Sequence, residues 1–246
     1  MKVNKIYNEN CLETMARMQN GFIDLTVTSP PYDNLRDYNG YSFDFESIAK
    51  ELFRVTKDGG VVVWIVGDAT IKGSETGTSF RQALYFKEVG FNLHDTMIFE
   101  KNSSTFPAKR KGNRYTQIFE YMFVLSKGKV KADLICDKKN KWFGFKDFSG
   151  KIKKPVPKFS PRNNIWKYVT SFNGVKHPAP FPEKLVNDHI ISWSNKNDIV
   201  YDCFMGSGTT AKMTILNNRN YIGSEISKEY CQIAERRIQQ IHPKLF

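Results

Sequence analysis

Two short motifs each follow a stretch that is predicted to be a buried strand, and both carry residues that could hold a ligand. The first, Ser29-Pro30-Pro31-Tyr32, comes directly after the apolar stretch 22–28. Two successive prolines fix φ and remove two backbone donors, so the turn is stiff and presents carbonyls without competing N–H groups. Such stiffness suits a site that must hold hydrogen-bond acceptors in place. A plain structural turn is the alternative interpretation.

The second motif is a glycine turn that follows the predicted strand 199–203. Asp202 lies near the end of that strand, and Gly206 and Gly208 permit both a tight turn into a helix and a close approach of a ligand to the backbone. The turn lacks the GK[ST] ending of a phosphate loop and the full GxGxxG dinucleotide pattern. The next predicted strand leads into Glu225, about 20 residues further on, where a carboxylate can accept both hydroxyls of a ribose.

The elements that must position these motifs alternate between short apolar strands and amphipathic helices. Strands are predicted at 22–28, 61–66, 96–100, 119–125, 199–203 and 221–224, and helices at 45–55, 78–88, 182–193, 209–216 and 228–241. This alternation predicts an α/β fold with a mostly parallel, twisted sheet and helices on both faces. Ligands of such sheets bind beyond the carboxyl ends of the strands, where both motifs fall.

The positive charge of the chain is concentrated in one segment. The 246 residues carry a net charge of +12, and residues 101–170 hold 18 of the 37 basic residues but only four of the 25 acidic ones. Twelve aromatic residues lie in the same segment. This combination can neutralise phosphates and stack on bases, which favours a nucleic-acid partner, and a solvated surface is the alternative. The proline-containing stretch 153–164 is predicted to run extended or in turns.

The rest of the composition narrows the class of protein. Apolar residues make up 40% of the chain, which is enough for a folded core. No apolar run approaches the roughly 20 residues of a membrane span, and the first residues lack the apolar stretch of a signal peptide, so a cytoplasmic protein without membrane contact is expected. The four cysteines form no CxxC pair and no cluster with the four histidines, which predicts neither a disulfide framework nor a metal site.

Together the two motifs resemble the signature of S-adenosylmethionine-dependent DNA methyltransferases that modify exocyclic amino groups, the N4-cytosine and N6-adenine family. The Pro-Pro-Tyr motif precedes the glycine motif, with the basic segment between them, which is similar to the order in the beta group of these enzymes. Residues 7–13 (YNENCLE) resemble the short acidic motif of the family, and residues 177–182 (HPAPFP) resemble its cofactor segment. The resemblance implies a circularly permuted, Rossmann-like methyltransferase fold, with the strand at 5–7 moved to the front.

The resemblance also implies roles for individual residues. Ser29, Pro30, Pro31 and Tyr32 would be catalytic: the Ser29 hydroxyl and the Pro30 carbonyl would accept hydrogen bonds from the amino group of a flipped-out base, and Tyr32 would stack on that base. The residues that would bind S-adenosylmethionine are Asn10, Cys11, Phe181, Pro182, Asp202, Phe204, Gly206, Gly208, Thr209 and Glu225. Glu225 would hold the ribose and Asn10 would meet the adenine edge. Asn10 stands where the family usually has Asp, and Cys203 stands where it usually has Pro.

The expected partner is double-stranded DNA. In the loop 101–115, Lys109, Arg110, Lys111 and Arg114 would contact phosphates. Residues 126–175 would form a target-recognition region, and residues 1–125 with 176–246 would form the catalytic and cofactor-binding core. The resemblance further suggests a homodimer and a cognate restriction endonuclease as candidate partners, and a place in a restriction-modification system.

Alternatives remain for the target base and for the class of substrate. Ser at the first motif position is more typical of N4-cytosine enzymes than of N6-adenine enzymes, so cytosine is favoured. Methylation at cytosine C5 would use a cysteine nucleophile next to a proline, and no cysteine follows a proline in this chain. The alternatives are an N6-adenine enzyme of the same family, a methyltransferase that acts on RNA or protein, and a DNA-binding relative without catalysis.

Overall fold

The computed structural model describes residues 1–31, 43–102, 113–145, 155–169 and 182–241. The helices in these ranges are α1 Cys11–Ala16, α2 Phe45–Val55, α3 Thr78–Val89, α4 Glu183–Trp193, α5 Thr209–Leu216 and α6 Lys228–Gln239. The strands are β1 Lys5–Tyr7, β2 Ile23–Thr28, β3 Thr56–Val66, β4 Thr70–Ile71, β5 Ser74–Glu75, β6 Asn92–Lys101, β7 Phe119–Ser126, β8 Lys138–Lys139, β9 Phe159–Ser160, β10 Ile165–Tyr168, β11 Ile199–Asp202 and β12 Asn220–Ser224. Among the described helices, none is long and apolar enough to cross a membrane.

Eight of these strands form one sheet in the order β1-β12-β11-β2-β3-β7-β6-β10. Neighbouring strands are parallel, except that β7 runs antiparallel to both β3 and β6. The predicted α/β fold with a mostly parallel sheet is therefore confirmed. The first strand of the chain lies beside the last one, as a circular permutation would produce, and the permutation itself stays a prediction.

Burial on both faces explains why the central strands are apolar throughout. Residues 61–66 of β3 are all buried, because helices cover the sheet on each side. The helices have their own signals: the Asp44 side chain caps α2 by accepting from a backbone N–H in the first turn, at 3.1 Å. Ile48, Leu52 and Val55 then recur at helical spacing and are buried, so one face of α2 packs on the sheet.

The apolar core has a main layer on each face of the main sheet and a third, smaller cluster on β1, β12, α5 and α6. One layer lies under α1, α2 and α3 and includes Trp64 and Phe86. Trp64 is fully buried, and its indole N–H donates to the Gln82 side chain at 2.8 Å. The other layer lies under α4 and α5 and includes Met122 and Trp193. These layers hold the strand ends, and the residues that follow them, in fixed positions.

The sequence patterns predict neither α1 nor β10, nor the two-residue strands β4, β5, β8 and β9. The helix α1 has only six residues, too few for a recognisable apolar period. The strand β10 falls within the stretch 126–175, yet it pairs in parallel with β6 at the edge of the main sheet. Its residues alternate between exposed and buried, as expected for a strand with one face on the core. The main sheet therefore includes part of the segment that is predicted to be the target-recognition region.

A buried histidine gives this fold a pH dependence whose direction can be derived. His189 of α4 is fully buried between the Trp166 ring, at a centroid distance of 4.7 Å, and the Met122 sulfur, 3.2 Å from Nε2. Burial lowers the pKa of His189 to about 3, although the nearby Asp188 carboxylate opposes the shift. The folded protein therefore keeps this imidazole neutral at pH values where the unfolded chain, with a pKa of about 6.5, takes up a proton.

We expect the free energy of unfolding to fall as the pH falls from about 6.5 towards 3, because the unfolded state binds the additional proton. His189 should account for about 2 kcal/mol of that fall between roughly pH 7.5 and pH 5. Urea unfolding of the wild type and of His189→Gln at both pH values measures it, since Gln does not titrate. An equal pH dependence in the two proteins would contradict the assignment.

Candidate active site

The carboxyl ends of four neighbouring parallel strands bring the two predicted motifs together. These strands are β1, β12, β11 and β2, and adjacent strands in a sheet lie about 4.8 Å apart. The residues that follow them are Asn8 to Asn10, Glu225, the glycine turn 203–208 and the turn Ser29-Pro30-Pro31. The predicted convergence of these motifs at one edge of the sheet is what the structure shows.

A buried carboxylate ties the two motifs to each other. The Thr28 hydroxyl, at the end of β2, donates to Asp202 Oδ1 at 2.7 Å, and the backbone N–H of Phe204 donates to the same oxygen at 3.0 Å. The Thr210 hydroxyl donates to Oδ2 at 2.6 Å. Burial raises the pKa of Asp202, and these three hydrogen bonds oppose that rise. Both oxygens of Asp202 accept hydrogen bonds within the protein and the residue is buried, so its side chain holds the two turns together. The cofactor contact predicted for Asp202 stays a prediction.

The glycine turn has the backbone that its sequence requires. Gly208 has φ +81°, and a Cβ at this position would come within 2.7 Å of the Ala234 Cβ and 3.0 Å of its Cα, so any other residue would both strain the backbone and clash with α6. Gly208 precedes α5 without a side-chain cap. The N–H groups of the first helical turn therefore present a positive end to the site, which favours a carboxylate or another anion.

Glu225 faces this turn from the neighbouring strand. Its Oε2 accepts from the backbone N–H of Gly206 at 2.8 Å, and its Oε1 accepts from the backbone N–H of Ser227 at 2.8 Å. Burial raises the pKa of Glu225, and these backbone hydrogen bonds oppose the rise. Each carboxylate oxygen keeps a second lone pair, and the residue is partly exposed. A pair of hydroxyl groups could bind there.

The end of β1 and the segment after it hold the backbone of Glu225 by hydrogen bonds. The Asn8 amide donates to the carbonyls of Glu225 and Ile226 at 2.9 and 3.0 Å, and the Glu225 N–H donates to the Tyr7 carbonyl at 3.0 Å. The sequence analysis assigns no role to Asn8, although it lies inside the YNENCLE motif. An asparagine in a short polar motif gives no signal that its partners lie more than 200 positions away.

Asn10 and Cys11, both predicted to bind the cofactor, have structural contacts of their own. Asn10 Oδ1 caps α1 by accepting from the backbone N–H of Leu12 at 2.9 Å. Cys11 is buried in the core layer under α1. Asn10 therefore lies at the edge of the site with its side-chain oxygen engaged.

Phe204 and Pro182 complete the described part of the predicted cofactor site. The Phe204 ring lies between Phe43, at a centroid distance of 5.8 Å, and Trp64, at 6.4 Å, so it presents a fixed aromatic surface. Pro182 is the N-cap of α4, and its carbonyl accepts from the backbone N–H of Leu185 at 3.0 Å. Tyr32 and Phe181 lie outside the described residues.

One functional contact that the sequence analysis missed is made by Arg237 of α6. Its Nη1 donates to the Ser207 carbonyl at 2.6 Å, to the Ser207 hydroxyl at 2.9 Å and to the Thr209 hydroxyl at 3.3 Å. Its Nη2 lies 3.0 Å from the carboxylate of Glu183, which also pairs with Lys212 at 2.6 Å. Arg237 therefore joins the glycine turn to the start of α4.

Of the predicted phosphate-binding residues, only Arg114 is described by the structure, since Lys109, Arg110 and Lys111 lie outside the described residues. The Arg114 guanidinium donates to the Gly73 carbonyl and lies 3.6 Å from the Glu75 carboxylate. Both partners lie on or beside the short β4–β5 hairpin. Because the side chains of Arg114 and Glu75 are about half exposed, this ion pair is weak and can exchange for a phosphate.

The cysteines are free thiols, and three of them are buried. Burial raises the pKa of Cys203 well above its usual value and that of Cys231 to about 11. Since the thiolate is the nucleophile, neither thiol is suited to covalent catalysis. Within the described ranges no group of three or more His, Cys, Asp or Glu side chains is placed to hold a metal ion.

The comparisons with known proteins agree with this geometry. A family model for N6/N4 methyltransferases, described as DNA methylase, matches residues 23–236. The orphan methyltransferase M.BamHII of Bacillus amyloliquefaciens is 61% identical over 238 residues, covering 88% of this chain and 89% of the relative. The Type II methyltransferase M.BglII of Bacillus subtilis is 28% identical over 253 residues, covering 94% of this chain and 68% of the relative.

Solved structures show the same fold. The PvuII DNA methyltransferase, which is cytosine-N4-specific, superposes with a TM-score of 0.73 at 23% identity, covering 99% of this chain and 93% of the other. M1.HpyAVI, in a complex with S-adenosylmethionine, superposes with a TM-score of 0.66 at 25% identity, covering 95% and 98%. The fold and the site together define an S-adenosylmethionine-dependent methyltransferase. The chain belongs to the N6/N4 DNA methylase family, and it is a DNA amino-methyltransferase.

The described residues fit S-adenosylmethionine, the cofactor of this family. The uncapped start of α5 favours the methionine carboxylate. The Glu225 carboxylate has lone pairs left for two ribose hydroxyls. The Phe204 ring offers an apolar surface beside the glycine turn. A positive helix end, a diol acceptor and an apolar wall are the three features that this cofactor needs.

The hydrogen bond between Thr28 and Asp202 predicts that valine substitutions at two threonines of β2, Thr28 and Thr26, change stability differently. Thr28→Val removes the hydroxyl that donates to the buried Asp202 carboxylate, so it should lower the free energy of unfolding by about 2 kcal/mol and weaken cofactor binding. Thr26→Val is the matched control, because Thr26 is also fully buried but its hydroxyl has no hydrogen-bond partner in the described structure.

Thr26→Val should leave stability unchanged or raise it slightly, since it removes a buried hydroxyl that is not satisfied. Urea unfolding and calorimetric titration with S-adenosylmethionine measure both variants. Equal losses of stability in the two variants would show that the Thr28 hydroxyl contributes nothing specific through Asp202.

Proposed function

We propose that this enzyme methylates the N4 amino group of cytosine at a specific sequence in double-stranded DNA, with the target base rotated out of the helix. The observation that carries the proposal is the turn Ser29-Pro30-Pro31, which is fixed beside the glycine turn by the hydrogen bond from Thr28 to Asp202. The base-binding acceptors and the cofactor site are thereby held next to each other. The choice of cytosine rests on Ser29, since serine at this position is more typical of N4-cytosine enzymes.

The chemistry requires acceptors for an amino group. The lone pair of an exocyclic amino nitrogen is delocalised into the base, so the nitrogen is a poor nucleophile. The Ser29 hydroxyl and the Pro30 carbonyl, as acceptors for its two protons, localise that lone pair on the nitrogen. Pro30 is buried and its ring fixes the backbone, which keeps the carbonyl in one direction. The Tyr32 ring stacks on the base and holds its plane.

The cofactor supplies a methyl group that the sulfonium already activates, so the protein has mainly to position the two reactants. Glu225 holds the ribose, the start of α5 holds the carboxylate of the methionine moiety, and Phe204 borders it. Asn10 is assigned to the adenine edge, and Phe181 with Pro182 is assigned to closing the pocket. The buried Asp202 and the cation Arg237 keep the glycine turn in its shape.

The DNA contacts are assigned to the basic segments. Lys109, Arg110, Lys111 and Arg114 contact phosphates, and the target-recognition region lies within 126–175, without the strand β10 that completes the main sheet. A homodimer and a cognate restriction endonuclease stay predictions. The relative from Bacillus amyloliquefaciens is called an orphan methyltransferase, whereas the relative from Bacillus subtilis is called a Type II methyltransferase.

The reaction is tested by transfer of labelled methyl from S-adenosylmethionine to unmethylated phage DNA, followed by mass spectrometry of the nucleosides. We expect N4-methylcytosine, and we expect Ser29→Ala to lower the rate at least about 100-fold, because one acceptor for the amino group is lost. Binding of S-adenosylmethionine by the variant should stay within about twofold of the wild type, since Ser29 is assigned to the base.

The product decides between the alternatives. N6-methyladenine would keep the mechanism and overturn the choice of base. Cofactor binding without labelled DNA would overturn DNA as the substrate and direct the search to RNA or protein. Full activity of Ser29→Ala would show that the hydroxyl is not a catalytic acceptor.

The cofactor site predicts a separate loss in binding. Glu225→Gln keeps the size of the side chain but removes its charge and one acceptor, so S-adenosylmethionine should bind about tenfold more weakly or worse. Glu229→Gln, four residues away and exposed, is the control and should bind normally. Isothermal titration calorimetry measures both variants, and equal affinities would contradict the assignment of Glu225 to the ribose.

A further inference from the structure

A short hairpin between β7 and β10 in the chain, paired outside the main sheet, exposes aromatic side chains among lysines. We call it the aromatic finger, and it comprises residues 138–145 and 155–160. Of its side chains, Trp142 is 72% exposed, Phe143 63% and Phe145 47%. Four lysines, and no acidic residue, lie in the same two ranges: Lys138, Lys139, Lys141 and Lys158. Apolar rings exposed together mark a surface that binds a partner.

The finger has a defined backbone in spite of this exposure. β8 and β9 pair antiparallel, with Lys139 opposite Phe159. Further along, the backbone N–H of Gly144 donates to the Val156 carbonyl, and the N–H of Val156 donates to the Phe145 carbonyl, both at 3.0 Å. Gly144 has φ +80°, so the chain turns sharply between the rings of Phe143 and Phe145. The rings are therefore presented by an ordered turn.

The base of the finger is anchored in the core by charge. Arg162 pairs with Asp137 at 2.5 Å, at the foot of β8, and with the buried Asp188 of α4 at 2.7 Å. Its Nη1 also lies 3.0 Å from the Tyr168 hydroxyl. Although burial opposes it, the hydrogen bond from Arg162 keeps the pKa of Asp188 below its usual value. Arg162 thus attaches the base of the finger to α4.

We infer that the aromatic finger binds duplex DNA by stacking Trp142 and Phe143 on bases that the target nucleotide exposes when it leaves the helix, while the neighbouring lysines neutralise phosphates. This inference rests on the proposed function. When a base leaves the helix, the neighbouring bases lose a stacking partner. A flat apolar ring can take the place of that partner. The charge selects the partner, since four lysines without an acid attract a phosphate backbone.

A second copy of the chain is the competing occupant of this surface. Two such fingers would bring lysines against lysines, and like charges across an interface oppose association. A nucleic acid has negative phosphates that complement the lysines of the finger, and flat base faces that complement its exposed rings. The charge complementarity therefore favours DNA.

The distribution of tryptophans allows a direct test. The chain has four tryptophans, and the other three, Trp64, Trp166 and Trp193, are at most 6% exposed. Acrylamide quenching of tryptophan fluorescence therefore reports mainly on Trp142. The probe is a 30-base-pair duplex with one abasic position, which exposes the neighbouring bases without a recognition sequence. At saturation, as judged by the anisotropy of labelled DNA, the quenching of the wild type should fall to the level of Trp142→Phe. Unchanged quenching at saturation would overturn the inference.

The affinity of variants for DNA, measured at several salt concentrations, distinguishes the contribution of the aromatic rings from that of the lysines. The double variant Trp142→Ala, Phe143→Ala should bind the duplex about tenfold more weakly with an unchanged salt dependence. Lys139→Ala, Lys141→Ala should instead lower the slope of the logarithm of affinity against the logarithm of salt by about two. Leu84→Ala, on α3 and 57% exposed, is the control for loss of an exposed apolar side chain and should bind normally.

Besides unchanged quenching, three results would contradict the inference. One is wild-type affinity of the double aromatic variant. Another is a loss of affinity that Leu84→Ala shares. The third is protection of Trp142 by raised protein concentration alone, which would assign the surface to a second copy. None of these measurements uses methyl transfer, so they can succeed or fail independently of the proposed reaction.

Discussion

The site depends on one buried carboxylate. Asp202 is almost fully buried, and a charged group in that position is stable only while donors surround it. Thr28 comes from the strand before Ser29, whereas Phe204 and Thr210 come from the glycine turn and its helix. Satisfying Asp202 therefore fixes the end of β2 against the end of β11. The turn Ser29-Pro30-Pro31 and the glycine turn obtain their mutual position from this requirement.

Further polar contacts extend the same constraint to both sides. Glu225 accepts from Gly206, and Asn8 and Tyr7 hold the backbone of Glu225 from the neighbouring strand. On the other side, Arg237 binds Ser207 and Glu183. Side-chain pairs of this kind contribute little on an open surface, but they become directional when they are partly buried. The glycine turn is thus held at each end, and the glycines themselves supply only the freedom to bend.

The sequence predicted most of the secondary structure because strands and helices carry their signals locally. The apolar run 61–66 and the capped, periodic stretch 45–55 are examples: α2 has the predicted bounds, and β3 contains the predicted run but begins earlier, at Thr56. The convergence of Ser29, Gly206 and Glu225 was predictable as well, since parallel strand ends share one edge of a sheet. Asp202 differs, because an acid at the end of a strand fits a ligand-binding role and a buried structural role equally. The hydrogen bonds from Thr28 and Thr210 reveal the structural role, and they cannot be seen in the sequence. Arg237 and Asn8 escaped prediction because their partners are distant in the chain.

The helix α4 connects the base of the aromatic finger to the edge of the sheet that carries the glycine turn. Glu183, at its start, is bound to Arg237 and hence to the glycine turn, and Asp188 is bound to Arg162 at the base of the aromatic finger. Five residues of helix span about 7.5 Å, and a helix does not stretch. The base of the finger cannot shift along α4 unless one of these ion pairs breaks. Because Asp188 is buried, loss of its partner Arg162 would leave a buried charge without compensation and would destabilise the fold. The position of the base of the aromatic finger relative to the glycine turn is therefore set by the fold.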